Sequence, residues 1–76
     1  MKDDNVAVNV AVTVLHENGR TFLKECHGCE KATVTEVPAT TGEILAWARD
    51  IYRGRLTSFQ EVIKNRGGER VRTITV

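Results

Sequence analysis

Val6-Ala7-Val8-Asn9-Val10-Ala11-Val12-Thr13-Val14-Leu15 is the stretch that decides the fold. Valine recurs at positions 6, 8, 10, 12 and 14, with small or polar residues at most of the positions between. A period of two puts all five valines on one side of an extended chain. Branching at Cβ suits a pleated strand and costs side-chain freedom in a helix. The stretch is predicted to be a strand with one apolar face that needs a cover.

Glu17-Asn18-Gly19-Arg20 follows and reads as a hairpin turn, because Asn and Gly tolerate positive φ. Two registers compete. A two-residue Asn-Gly loop pairs Val14 with Leu23. A three-residue loop with a glycine bulge pairs Val14 with Phe22 and Val10 with Cys26. The second is preferred here, because it puts Phe22 and Cys26 on the valine face. A slip of one residue reverses every side chain of the strand. The second strand is expected over about 21–26, His27-Gly28 marks another turn, and 32–37 reads as a third strand. Three strands joined by short turns make an antiparallel meander.

The cover comes next. Pro38 ends the strand, and Thr40-Thr41-Gly42-Glu43 matches a capping box, with Thr40 as N-cap and Glu43 at N3. Ala39 and Ile44 occupy the hydrophobic-staple positions. Ile44, Leu45, Ala48, Ile51 and Tyr52 share a helical stripe, with Trp47 at its border and Arg49, Asp50 and Arg53 opposite. A helix is predicted over 41–53, with Gly54 as its C′ residue. Residues 57–66 fit two patterns. Ser58-Phe59-Gln60-Glu61 is a second capping-box match, whereas 62–66 and 69–73 flank Gly67-Gly68 as a hairpin would. The hairpin is preferred, and 71–76 is a strand in either case. The fold class is thus α+β and two-layered. A mainly antiparallel sheet of four or five strands begins with a β-meander, carries one amphipathic helix at about 41–53 on one face, and includes a C-terminal strand.

The 76 residues form a single small domain, 41% hydrophobic and 28% charged, with a net charge of +1. That is neither a disordered composition nor a membrane one. No apolar run approaches the length of a transmembrane helix, and 6–15 lacks the cationic flank and cleavage site of a signal peptide. The expected setting is the cytoplasm, with no membrane partner. For a chain of this size, apolar burial and ordering entropy nearly cancel. An added device is therefore expected: a homodimer, a bound partner or a metal.

Cys26-His27-Gly28-Cys29 is the one local motif with chemical precedent. Its C-x-x-C spacing supplies half a zinc site. The remaining ligands would be His27 or His16, and His16 lies at the far end of the first hairpin. A redox dithiol is the other alternative, but such motifs sit at helix N-termini rather than between strands. The simpler reading is two ordinary cysteines. No cofactor is expected, and zinc on Cys26 and Cys29 is the only metal alternative. His16 and His27 read as exposed turn histidines. No triad, paired-carboxylate or phosphate-loop motif accompanies them, so no catalytic residues are assigned and an enzyme is not expected.

Charge is the stronger clue. Residues 1–37 carry four basic and six acidic side chains, whereas 38–76 carry seven and four. Six of those seven are arginines, which suit bidentate contact with phosphate or carboxylate. Arg49, Arg53, Arg55, Arg70 and Arg72 are the candidate nucleic-acid contacts. Acids are interleaved and aromatics are few, so a protein partner is favoured over nucleic acid. Residues 6–15 carry no charge and would form a poorly protected edge if they lay at one, open to a strand from a partner or a second copy. The function expected is that of a small, non-catalytic, intracellular accessory or regulatory protein.

Overall fold

The computed structural model describes residues 8–28 and 31–76. In chain order the elements are β1 (Val10–Glu17), β2 (Arg20–His27), β3 (Ala32–Glu36), α1 (Thr41–Ile51), β4 (Leu56–Asn65) and β5 (Gly68–Ile74). They form one five-stranded sheet, in the order β3-β2-β1-β4-β5, with α1 across one face. Every neighbouring pair is antiparallel except β1 and β4, which run parallel at the centre. This is the mostly antiparallel two-layer α+β fold expected from the sequence, and the stretch 57–66 is strand as far as Asn65, with Arg66 in the turn that follows.

The alternating valines behave as their spacing demands. Val10, Val12 and Val14 are fully buried beneath α1. Val8 precedes the strand and is exposed, and Val6 lies outside the described residues. The strand begins at Val10 because pairing on both sides begins there. Val10 N–H donates to the Arg55 carbonyl at 2.9 Å, while Gly28 N–H donates to the Asn9 carbonyl at 2.9 Å. β1 is therefore not an edge. With β2 on one side and β4 on the other, its backbone is already paired, which removes the expectation of a partner strand there.

The first hairpin takes the other register. Asn18 and Gly19 both have positive φ, 54° and 75°, so they close a two-residue turn of the I′ kind. Val14 then pairs with Leu23 and Val10 with His27. The expected bulged loop would have put Phe22 and Cys26 on the valine face. The tighter turn reverses that parity, sending Leu23 and Glu25 towards α1 and Phe22 and Cys26 to the opposite face. Asn-Gly satisfies both left-handed positions without an extra residue, so nothing drives the third.

α1 starts as its capping box requires. The Glu43 N–H donates to Thr40 Oγ1 at 3.1 Å, and the Thr40 N–H donates to Glu43 Oε1 at 2.8 Å. Each otherwise orphaned N–H finds a partner. Its buried row is Ile44, Ala48 and Tyr52, at a spacing of four. The small Ala48 brings the helix axis close over β1 and β4. Ile51 was expected in the stripe but falls beside this row and is 48% exposed. The helix also ends earlier than expected, at Ile51. Tyr52 is the C-cap, and its carbonyl accepts from the N–H groups of Arg55 (2.8 Å) and Leu56 (3.0 Å). Gly54 (φ 78°) is the left-handed residue of that reversal.

Phe59 of β4, paired with Val12, completes a core of seven buried residues, ringed by Leu23, Val37, Ala39, Leu45, Leu56 and Ile74. Phe22 was expected on the valine face and Trp47 at the border of the helical stripe. Phe22 lies on the uncovered face, and Trp47 remains 41% exposed. Each large buried side chain contributes about 1.5–3 kcal/mol. Net stability for a domain of this length is only about 4–11 kcal/mol, so the loss of one anchor is decisive.

Candidate interaction surfaces

Period two carries β1 and β4 beyond the end of the helix, so His16 follows Val14 and Glu61 follows Phe59 on the covered side. Both reach Thr41, the first helical residue. Thr41 Oγ1 donates to Glu61 Oε2 at 2.6 Å. Its single proton is thereby used, so His16 Nε2–H donates to Thr41 Oγ1 at 2.7 Å, and His16 Nδ1 and the Thr21 hydroxyl are hydrogen-bonded at 3.1 Å. Arg72 adds a contact of 3.1 Å to Glu61 Oε1. The Thr41 hydrogen bond, with lesser help from Arg72 and His16, holds the Glu61 carboxyl below its ordinary value against the opposing effect of burial. His16 is thus a partly buried bridge rather than an exposed turn residue. The Thr41 proton points at the carboxylate, and the chain of contacts clasps the helix to β1, β2, β4 and β5.

A second polar cluster closes the other end of α1. Tyr52 donates to Glu25 Oε2 at 2.6 Å, with His27 Nε2 at 3.5 Å from the same hydroxyl. The Tyr52 ring meets Trp47 and His27 edge-on, and Arg55 lies 5.5 Å from its centroid. Burial first, then Glu25, pushes the Tyr52 phenol up to about 12.

The candidate arginines lie on α1, just after it and on β5. Arg49 donates to the Thr75 carbonyl at 3.0 Å. Arg53 lies 3.6 Å from Asp50, and Arg55 lies against Tyr52. Arg72 is joined to Glu61, and Arg70 is paired with Ile63 on the same side of β5. Arg53 and Arg55 follow the end of the helix, while Arg70 and Arg72 stand on the outermost strand. Cys26, next to the last residue of β2, lies on the uncovered face, opposite Ala11 and Ala32. Cys29 lies outside the described residues. Among those described, no three His, Cys, Asp or Glu side chains are grouped to hold a metal ion.

The surface that sequence reasoning missed is the other side of the sheet. Among the described residues nothing covers it, since α1 lies on the valine face. Register places its side chains in rows. Phe22, Leu15, Val62 and Val71 stand directly opposite one another across β2, β1, β4 and β5. The row above reads Arg20, Glu17, Lys64 and Glu69, alternating in sign. The row below is Lys24, Thr13, Gln60 and Thr73. On β3, Val34 is 60% exposed, and Glu36 lies 3.7 Å from Arg20. The signal was present in the Asn18-Gly19 turn, whose two-residue form sends Phe22 to join Leu15 on this side.

No helix among the described residues is long and apolar enough to cross a membrane. Comparison with protein-family models, with curated proteins and with solved structures finds no match to this chain.

Proposed function

We propose that this protein is a small non-catalytic accessory module of the cell interior that works by binding protein across the open face of its sheet. The observation that carries this reading is the apolar row of Phe22, Leu15, Val62 and Val71, which crosses four strands with no cover among the described residues. A sheet layer with one covered face and one apolar row on the other is suited to a second layer. The polar clusters on the helix side point the same way, because their groups already satisfy one another. Nucleic acid gripped by Arg49, Arg53, Arg55, Arg70 and Arg72 is the alternative. Four of these guanidinium groups already contact a carbonyl, a carboxylate or a ring of the same chain.

Site-specific photo-cross-linking tests the reading. A photoreactive residue at Val62 is expected to yield protein adducts in cells, whereas one at Arg53, just past the end of the helix, yields none. Nucleic-acid adducts at position 53, or no adducts at position 62, would overturn it.

A further inference from the structure

We infer that the partner on the open face is a second copy of this chain, packed face to face about a twofold axis that runs along the strands between β1 and β4. The inference rests on the interaction reading above and names its partner.

Such an axis preserves strand direction and exchanges left for right, so each copy's β1 faces the other's β4 and each β2 faces the other's β5. β1 and β4 are parallel, and β2 and β5 both run against them. These four strands therefore match one another under the operation, and β3, beyond β2, lies outside the overlap. Side chains match as well. Leu15 meets Val62 of the partner subunit, and Phe22 meets Val71 of the partner subunit. In the charged row, Glu17 meets Lys64 of the partner subunit and Arg20 meets Glu69 of the partner subunit. The order plus, minus, plus, minus across four strands becomes its own complement when reversed. Every charge in that row thus finds its opposite twice per dimer. Isologous interfaces require this kind of self-complementarity.

Aligned sheets cross at about 30°, so the fit is tightest at the two central strands and loosens at β2 and β5. Strands about 4.8 Å apart, with same-face residues about 6.7 Å apart along each strand, make the face roughly 500–600 Å² per copy. The total of roughly 1,000–1,200 Å² lies at the lower end of specific interfaces. Micromolar association is expected rather than a permanent dimer. It would add a further layer to this small two-layer domain and bury more of its apolar surface.

Sedimentation velocity on the full chain from 1 to 500 µM is the test. The wild type is expected to pass from 8.5 kDa monomer to dimer within that range. Glu17→Lys and Lys64→Glu, each alone, set like charges against each other twice per dimer and should weaken association at least tenfold. An equimolar mixture of the two variants should recover the dimer, because each supplies the charge the other needs. Glu17 and Lys64 are also neighbours within one chain. Recovery on mixing separates the two effects, since a change internal to each chain cannot be repaired by adding another. Matching circular-dichroism melting curves at 1 µM would show that the variants fold. A wild type that stays monomeric to 500 µM overturns the inference, as does a mixture that fails to recover. A dimer indifferent to both reversals but abolished by Val34→Pro would place the contact at the β3 edge and also overturn it. If the chain is monomeric while position 62 still yields protein adducts, the second copy is wrong and the interaction reading stands; absent adducts sink both.

Discussion

Thr41→Val isolates the clasp at the start of α1. The substitution keeps the β-branched shape and removes one hydroxyl, so packing and helix propensity change little. What is lost is a 2.6 Å hydrogen bond to an ionised carboxylate, together with the acceptor of the His16 Nε2–H. A hydrogen bond to a charged group contributes about 1.5–3 kcal/mol. Arg72 remains at 3.1 Å, and His16 Nε2, now 3.5 Å from Glu61, can close on it and recover part of the loss. The expected net cost at pH 7 is therefore about 1–2 kcal/mol. For a domain of this size that lowers the melting temperature by roughly 4–16 °C. The pH dependence is the sharper readout. Glu61 has a lowered value in the folded state. Its contribution is therefore present above the carboxyl value of the unfolded chain and disappears as pH falls through the folded one. Urea unfolding of wild type and variant at pH 7 and pH 2.5 should show the gap narrowing to below about 1 kcal/mol in acid. A gap that stays constant with pH, or a variant as stable as the wild type at pH 7, would refute the assignment of Thr41 as the donor that depresses Glu61.

Three further outcomes are expected. Phe59→Ala removes the largest fully buried side chain at a cost of about 3–5 kcal/mol, so its amide spectrum should lose the dispersion of a folded sheet at 25 °C. Thr40→Ala breaks one arm of the capping box and should cost about 1 kcal/mol by urea titration; no change would mean that the helix start is held by other contacts. Tyr52 is the single tyrosine, so absorbance at 295 nm reads it alone, with a midpoint expected near 12 while the fold persists. Its value is raised on folding, so the contribution to stability is complete below pH 10 and is lost as pH climbs towards 12. Glu25→Gln should bring the midpoint part of the way back, since burial still raises it.

The legible parts of the sequence were those governed by local chemistry. Valine alternation located β1, and Thr40 with Glu43 fixed the start of the helix to the residue. Gly67-Gly68 marked the last hairpin. The first hairpin shows where such reading strains. Apolar matching argued for Phe22 beneath the helix, whereas turn geometry at Asn18 and Gly19 put Leu23 there, and the turn prevailed. The polar clasp was out of reach for a different reason. His16, Thr41 and Glu61 come from three elements distant in sequence. Only the parallel pairing of β1 with β4 aligns the first with the third, and no local pattern announces that pairing. Once it is known, the step from Val14 to His16 and from Phe59 to Glu61 makes the cluster evident. The open face was obscured by the same parity error that misplaced Phe22.

The parallel central pair also bears on synthesis. During translation the meander and the helix leave the ribosome first, but Val10 waits for Leu56 and Val12 for Phe59. Until those residues emerge, one margin of the valine strand is bare and the floor under the helix is incomplete. Closing the sheet depends on this one distant pairing, and distant pairings form more slowly than local ones. The nascent chain thus remains open to misassociation until β4 has emerged.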